Sequence, residues 1–254
     1  MIFFKAFLTA LSTYSAIPVP QSRFDERTMK YAICFFPAVG VIIGVILLVW
    51  YKLSAAAGLS GIMFSAVASA LPVIITGGIH LDGYMDTVDA ICSHRERERK
   101  LEIMKDPHTG AFALIYIVVY FIIYFALTNE LYILRAFSAA FPVFIISRAL
   151  SAFLALRLPN ARGMGMLLYY TESTEKSKAE LAALITAAAA CVLMIIISPP
   201  CGIFAAVLSV LWVLLYTHTA MKQFGGVTGD TAGFFLEVCE LLCLAGVLIG
   251  ALIR

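Results

Sequence analysis

The sequence predicts an all-α, polytopic integral membrane protein: a bundle of about seven transmembrane helices with an N-terminal interfacial helix. The chain has 254 residues, of which 62% are hydrophobic and only 13% are charged, whereas soluble domains carry about 25% charged residues. Its apolar runs are long and unbroken. They favour helices, because the strands of a membrane barrel alternate apolar and polar residues. Residues 1–254 are therefore expected to form a single membrane-embedded domain.

Residues 1–30 are expected to form a segment at the membrane surface. On a helix, Lys5, Thr9 and Ser12 share one face, and the phenylalanines and leucines near them lie mostly on the opposite face. This pattern is typical of an amphipathic helix that lies in the plane of the interface. A signal peptide is the alternative, but Pro18 follows and there is no convincing small-x-small cleavage site.

Seven apolar segments are long enough to cross a bilayer. They comprise residues 31–51, 55–77, 111–128, 131–155, 179–198, 201–221 and 234–253. Three short connections alternate with three longer ones. The short connections, at Lys52–Ser54, Asn129–Glu130 and Pro199–Pro200, leave no room for a functional site.

Basic residues lie almost entirely on one side of the predicted bundle. Of the 18 lysines and arginines, 14 fall in the segments on the side of the N-terminus, which are residues 1–30, 78–110, 156–178 and 222–233. The opposite side holds Lys52 and Arg254, while Arg135 and Arg148 are assigned to a span. The positive-inside rule then places the N-terminus in the cytoplasm. We expect a prokaryotic plasma (inner) membrane protein with a cytoplasmic active site built from segments 78–110 and 222–233.

The most informative stretch runs from His80 to Asp89, directly after the second span. If it is helical, Asp82, Asp86 and Asp89 fall within an arc of roughly 60° on one face. Three like charges at a membrane boundary repel one another, and a divalent cation that prefers oxygen ligands, Mg²⁺ or Mn²⁺, relieves the repulsion. The alternative is a solvated acidic face on a helix capped by Asp82. The pattern favours a metal-dependent phosphate site.

A second polar stretch, rich in glycine, precedes the last span. Gly225, Gly226 and Gly229 would let backbone amides approach a phosphate closely. Asp230 could either cap the following helix or ligate a metal.

Two acidic residues, Glu237 and Glu240, lie inside the last span at spacing i, i+3. Ionisable residues at such depth are costly and normally face a partner or an aqueous cavity. The alternative is a structural role in which one of them pairs with Arg148 and draws the fourth and seventh spans together.

Residues 93–106 alternate acidic and basic side chains and are expected to form a solvated, interfacial helix that stops before Pro107. Within this stretch, Lys105 is a candidate to reach the site. Arg162 lies in a flexible basic patch that could receive an anionic substrate. No basic face carries interleaved aromatic residues, so nucleic acid is not expected as a partner.

Four motifs together carry a resemblance to a known family. They are Phe36-Pro-Ala-Val-Gly40, the Gly77–Asp89 motif, the run Arg97–Asp106, and the Gly225–Asp230 motif that closes on Glu237. In this order they resemble the motifs of cobalamin-5′-phosphate synthases, also called adenosylcobinamide-GDP ribazoletransferases, over nearly the whole chain. The resemblance implies the step that attaches the lower nucleotide loop of vitamin B12. The ribose 3′-hydroxyl of α-ribazole, or of its 5′-phosphate, attacks the corrinoid-side phosphorus of adenosylcobinamide-GDP, and GMP leaves.

The resemblance also implies roles for particular residues. Asp82, Asp86, Asp89 and Asp230 would hold Mg²⁺ across the diphosphate. His80 is the candidate for deprotonating the attacking hydroxyl, with an orienting role as the alternative. Lys105 and Arg148 would neutralise phosphate oxygens, with Glu237 and Glu240 as supporting acidic residues. Substrate contacts are expected from Gly77, Gly78, Arg162, Gly225, Gly226, Thr228 and Gly229.

Two other functions remain open from the sequence. A CDP-alcohol phosphotransferase of lipid synthesis performs analogous chemistry, but the aspartate spacing here ends one residue short of that family's D-x₃-D-x₃-D. A cation-coupled transporter would place its polar groups near mid-membrane, whereas here they gather at one face. The expected partners are the two substrates, the lipid bilayer and a second copy of the chain in a homodimer.

Overall fold

The protein was analysed as a computed structural model that describes residues 2–20, 26–163 and 165–253. Two of the basic residues counted above, Arg23 and Arg254, lie outside the described residues. The described chain contains twelve α-helices: α1 Ile2–Tyr14, α2 Glu26–Ala32, α3 Phe36–Ala56, α4 Gly61–Thr76, α5 Ile79–Cys92, α6 Arg97–Ile103, α7 Ala111–Ile133, α8 Val143–Arg157, α9 Met166–Ser173, α10 Lys176–Ile197, α11 Pro199–Gln223 and α12 Gly229–Ile253. Short 3₁₀ turns, Ile33–Phe35 and Phe137–Ala140, precede α3 and α8.

Six helical segments of the described chain are long and apolar enough to cross a membrane. They are Ile33–Ala56, Ala111–Ile133, Phe137–Arg157, Lys176–Ile197, Pro199–Gln223 and Gly229–Ile253. The remaining predicted span corresponds to α4, which has 16 residues and passes the same test only together with α5, from which it is bent by 95°. The all-α, multi-pass architecture is confirmed, and the count is seven when this bent pair contributes one crossing, which is made by α4.

Two of the three predicted outer connections, Lys52–Ser54 and Asn129–Glu130, were displaced by several residues, whereas the third lies next to the observed break between α10 and α11. Two helices continue past the polar residues chosen as their ends, and each stops next to a residue in the left-handed region: Gly58 (φ 67°) after α3 and Arg135 (φ 55°) after α7. Each end is closed by a backbone hydrogen bond across the turn, Leu59 N to Ser54 O and Ala136 N to Leu131 O. Arg135 therefore lies in a connection, and its assignment to a span was wrong.

The break between α4 and α5 is made by two consecutive glycines. Gly77 and Gly78 have φ values of 66° and 78°, a conformation that residues with a Cβ adopt only at a cost. The chain turns by 95° here, so α5 leaves the direction of the span and carries the aspartates away from it. We treat α5 as lying outside the membrane-spanning helices.

Helix α5 packs with its backbone directly against the first turns of α12. A Cβ added to Gly83 would lie 2.8 Å from the Cα and O atoms of Asp230, and one added to Gly233 would lie 2.8 Å from the carbonyl oxygen of His80. Both distances are too short for a real Cβ, so only glycine permits this approach. The two glycines bring the aspartate helix against Asp230.

The loop after α8 is pinned to the loop before α12. Val227 N donates to Pro159 O at 2.8 Å, and Ala161 N donates to Val227 O at 3.0 Å. The side chain of Asn160 accepts from the amides of Arg162 and Gly163. This pairing fixes Arg162 beside the start of α12.

Candidate functional site

Three carboxylates converge where α5 meets α12. Asp82 is exposed, and Asp86 and Asp230 are partly buried. Burial, reinforced by the negative charges of Asp82 and Asp230, raises the pKa of Asp86 to about 7. The site therefore concentrates negative charge that the surrounding protein only partly compensates.

Arg162 supplies the positive charge that faces this cluster. Its Nη2 atom lies 2.9 Å from Asp230 Oδ2 and also donates to the carbonyl oxygen of Met104. The Oδ2 atom of this ion pair is buried. Arg162 thus reaches the site, as predicted.

Helix α12 is capped without using Asp230. Thr228 N donates to Thr231 Oγ1 at 2.8 Å, and Thr231 N donates to Thr228 Oγ1 at 3.1 Å, a reciprocal arrangement like a capping box. Asp230 lies in the first turn of the helix, and its carboxylate faces the site instead of taking part in the cap. The suggestion that Asp230 caps the helix was wrong, and Thr228 has this structural role.

The structure separates Asp89 from the other predicted metal ligands. Its Oδ2 accepts from Gly110 N at 2.6 Å and its Oδ1 from Ala113 N at 2.9 Å, so both oxygens are bound to the N-terminus of α7. A carboxylate is favourable there because the first-turn amides lack intrahelical partners and carry partial positive charge. Grouping Asp89 with the metal ligands was wrong for this conformation.

In the described part of the chain, no group of three or more His, Cys, Asp or Glu side chains is arranged so that it could hold a metal ion. The predicted four-carboxylate site is therefore not assembled in this conformation. The donor chemistry of Asp82, Asp86 and Asp230 still fits a hard divalent cation, because carboxylate oxygens are the ligands that Mg²⁺ and Mn²⁺ prefer.

Most of the glycine-rich amides predicted to cradle phosphate are already used within the protein. Gly77 N and Gly78 N bond to the end of α4, Gly225 N and Gly226 N to the end of α11, and Thr228 N to Thr231. Gly229 differs, because it lies in the first turn of α12 and a Cβ there would meet nothing within 4 Å. The predicted amide cradle was therefore wrong except at Gly229.

An apolar cavity of about 210 Å³ opens beside the carboxylates and is lined by parts of α1, α3, α5, α8, α9 and α12. Asp82, Asp230 and Gly229 form part of its lining, together with His80. Burial, with a smaller contribution from the charge of Arg148, lowers the pKa of His80 to about 3, and its buried Nε2 atom has no hydrogen-bond partner among the described residues. A neutral imidazole thus lies next to the carboxylate site.

Arg148 does not reach the site. It is 1% exposed and donates to Glu240 Oε1, Ser147 Oγ and Phe144 O. Glu237, one turn earlier on α12, accepts from Tyr120. The structural alternative, in which Arg148 pairs with a glutamate and ties α8 to α12, is confirmed, and the assignment of Arg148 to phosphate was wrong because its charge is already satisfied in the core.

Lys105 lies exposed in the turn after α6. Its predicted role at the phosphate is neither supported nor contradicted by its position. Two neighbouring basic residues are placed more specifically: buried Lys100 donates to Gln223, and the Arg97 guanidinium packs where a Cβ on Gly225 would lie. These contacts dock α6 against the end of α11, next to the loop that precedes Asp230.

Sequence reasoning missed Gly83 and Gly233, the residues that set the distance between α5 and α12. A signal was present for Gly83, because a glycine inside a helix is disfavoured by about 1 kcal/mol relative to alanine and usually has a packing or functional reason. Lys100 and Gln223 are 123 residues apart, and no local pattern relates them.

Comparison with known proteins gives a consistent result. The chain matches the family model described as cobalamin-5-phosphate synthase over residues 6–248. It is 38% identical over 240 residues to a Lachnoclostridium phytofermentans protein named adenosylcobinamide-GDP ribazoletransferase, covering 94% of this chain and 92% of that one. Proteins of the same name from Clostridium botulinum (strain Alaska E43) and Desulfitobacterium hafniense (strain Y51) are each 33% identical, covering 95% and 93% of this chain and 96% and 94% of theirs. No solved structure gives a significant match.

Proposed function

The chain belongs to the cobalamin-5-phosphate synthase family, and from that membership we propose how its residues carry out the reaction. The protein joins adenosylcobinamide-GDP to α-ribazole in cobalamin biosynthesis, a transfer that makes a phosphodiester bond. We place this reaction at the junction of α5 and α12. Family membership favours this activity over the CDP-alcohol phosphotransferase and transporter alternatives.

The observation that carries the placement is the convergence of Asp82, Asp86 and Asp230, of which Asp82 and Asp230 line the cavity. Phosphoryl transfer requires mainly positioning and charge neutralisation from the protein. The glycine contacts between α5 and α12 provide the positioning, because they hold the carboxylates on two backbones that touch.

We propose that Asp82, Asp86 and Asp230, which do not form a metal site in this conformation, hold Mg²⁺ together with the phosphates of the bound substrate, with Mn²⁺ as a substitute. The raised pKa of Asp86 reflects negative charge that a cation would stabilise. When bound, the cation would offset the charge of the diphosphate and of the departing GMP. The chain itself keeps Asp82 and Asp230 in the lining of the cavity, next to the place where the diphosphate is expected to lie.

Arg162 and the first turn of α12 are proposed to bind phosphate oxygens. Arg162 is already held beside Asp230, and its planar guanidinium can bind two oxygens of one phosphate. The first-turn amides of α12, including that of Gly229, have no intrahelical partners and favour a bound anion.

His80 is proposed to accept the proton of the attacking hydroxyl or to orient that hydroxyl. Its lowered pKa means that the imidazole is neutral and can accept a hydrogen bond. A phosphate group bound nearby would raise that pKa, because negative charge favours the imidazolium form. An Asn variant of His80 distinguishes the two roles, since an amide can orient a hydroxyl but cannot take its proton.

We infer that the protein spans the inner membrane of a prokaryotic cell and that its site faces the cytoplasm. Support comes from the basic residues, 14 of 18 of which fall in the segments that include α5, Arg162 and the start of α12. The homodimer and the phosphate role of Lys105 stay predictions.

The test is GMP release from adenosylcobinamide-GDP by the detergent-purified protein. The acceptor, α-ribazole or its 5′-phosphate, and Mg²⁺ are each supplied or withheld. We expect release to require both. Release without added metal, in the presence of a chelator, would contradict the metal proposal, and no release from folded protein would contradict the reaction.

A further inference from the structure

We propose that the apolar cavity beside the carboxylates binds the aromatic base of the ribazole acceptor. This inference rests on the proposed function, and it assigns to the acceptor a binding site within the same active site. The first observation is the lining of the cavity, which is mostly apolar but includes Asp82 and Asp230.

The size of the cavity selects a small, flat group. An engineered cavity of roughly 150 Å³ in another protein holds one benzene ring, so about 210 Å³ suits a fused two-ring base. The corrin macrocycle is several times larger and cannot enter. The cavity is therefore suited to one part of one substrate and not to the bulk of the donor.

The chemistry of the walls favours an apolar aromatic ring over guanine. Tyr14 packs against Phe36 with ring centroids 4.3 Å apart, and His80 lies 5.4 Å from Phe36, so one wall consists of aromatic side chains. Aromatic rings pack favourably against such a surface.

Three of the four hydroxyl groups in the described lining, those of Thr13, Ser151 and Tyr170, already have partners. Tyr170 and Thr13 are hydrogen-bonded to each other at 2.8 Å, and Ser151 donates to the carbonyl oxygen of Ala232. Guanine carries several donors and acceptors, and burying them without partners is costly. A benzimidazole ring has one free ring nitrogen to satisfy, so burying it there leaves fewer polar atoms without partners than burying guanine does.

The position of the cavity then explains how the acceptor would be aimed. The base of a riboside is bonded directly to its sugar. A base held against Phe36 and Ala152 would therefore keep the ribose hydroxyls close to Asp82 and Asp230, which line the same cavity. The attacking hydroxyl would arrive at the site at which the diphosphate is proposed to bind.

The first test uses the unmodified protein. Free benzimidazole is added during GMP release, with acceptor and donor concentrations varied in turn. We expect inhibition that is competitive with α-ribazole and not with adenosylcobinamide-GDP. Competition with the donor, or no inhibition up to the solubility limit, would overturn the proposal. A protein that releases no GMP even without inhibitor would instead contradict the proposed function, so the two failures are distinguishable.

The second test fills the cavity. Ala152→Leu places a larger side chain in its wall, and Ala188→Leu makes the same change on an exposed position of α10. We expect Ala152→Leu to raise the KM for α-ribazole at least about tenfold, the scale of one misfit carbon in an apolar pocket. The KM for adenosylcobinamide-GDP should stay within about twofold, and Ala188→Leu should leave both constants unchanged.

Thermal unfolding in detergent is used to check that the Ala152→Leu protein is folded. If it is not, Ala155→Val provides a smaller enlargement of a side chain in the same cavity. A folded filling variant with an unchanged KM for α-ribazole would overturn the proposal. So would a variant whose KM rises for the donor instead.

Discussion

The sharpest prediction concerns Gly83, whose missing side chain lets α5 touch α12. In Gly83→Ala the new Cβ would lie 2.8 Å from the Cα and O atoms of Asp230, whereas non-bonded carbon atoms prefer about 3.5–4.0 Å. The two helices must therefore separate by about 0.7–1.2 Å. Because the clash is with backbone, no side chain can rotate to relieve it.

The stability effect should be small and the activity effect large. Overpacking costs about 1–3 kcal/mol, but alanine recovers about 1 kcal/mol of helix propensity over glycine, so we expect a net loss of about 0–2 kcal/mol. A misplacement near 1 Å at a reacting centre can reduce the rate about 100-fold. The assay measures kcat for GMP release alongside thermal unfolding in detergent.

Gly246→Ala is the matched control. Its Cβ would lie 2.6 Å from the backbone nitrogen of Ala205, a comparable clash on the same helix, but about 24 Å along α12 from Asp230. We expect this variant to lose stability while the folded fraction keeps most of its kcat. Equal losses of kcat in the two variants, or near-normal kcat in folded Gly83→Ala, would refute the idea that the α5–α12 contact positions the carboxylates.

Four further predictions follow from the site and its supports. Asp82→Asn should reduce kcat at least about 100-fold with little change in thermal unfolding, and normal turnover would remove it from the metal site. Asp89→Ala should cost about 0.5–2 kcal/mol of stability, measured by thermal unfolding, because it uncaps α7. The Mg²⁺ affinity of this variant, measured by titration, should stay close to that of the wild type. A large loss of that affinity would restore Asp89 as a ligand. Without metal, the free energy of unfolding should fall as pH rises from about 4 towards 7. The reason is that native Asp86, with its pKa raised to about 7, keeps a proton that the unfolded chain releases. Asp86→Asn should flatten this part of the pH–stability curve, and an unchanged slope would contradict the assignment. Glu240→Gln should cost about 3–5 kcal/mol because it leaves the Arg148 charge buried and unpaired, and replacing both residues by methionine should recover much of the loss, which a double-mutant cycle measures.

Several features of the fold and site were predictable because they depend on local composition. The spans follow from runs of apolar residues, and the shared face of Asp82 and Asp86 follows from their i, i+4 spacing once the stretch is helical. The pairing of Arg148 with a glutamate was foreseen as an alternative, since a charge inside a span needs a partner. These inferences use only rules that act within one segment or between a segment and the membrane.

Other features were mispredicted because backbone groups compete for the same side chains. Asp89 fits the acidic face of α5 by spacing, yet the N-terminus of α7 takes both its oxygens. The glycine-rich loop suggests an anion cradle, yet most of its amides bond to the ends of α11 and α12. Spacing along one helix cannot show which neighbour will satisfy a side chain or an amide.

The sequence by itself determined the membrane class, the family and the residues from which a phosphate site could be built. Only the tertiary structure decided which of them meet. Gly83 and Gly233 set the approach of α5 to α12, the loop pairing brought Arg162 to Asp230, and six helices enclosed the cavity. The physical reason is the separation along the sequence over which each effect acts. Hydropathy and helical periodicity relate residues that are close in the sequence, whereas close packing joins atoms that lie far apart in the chain.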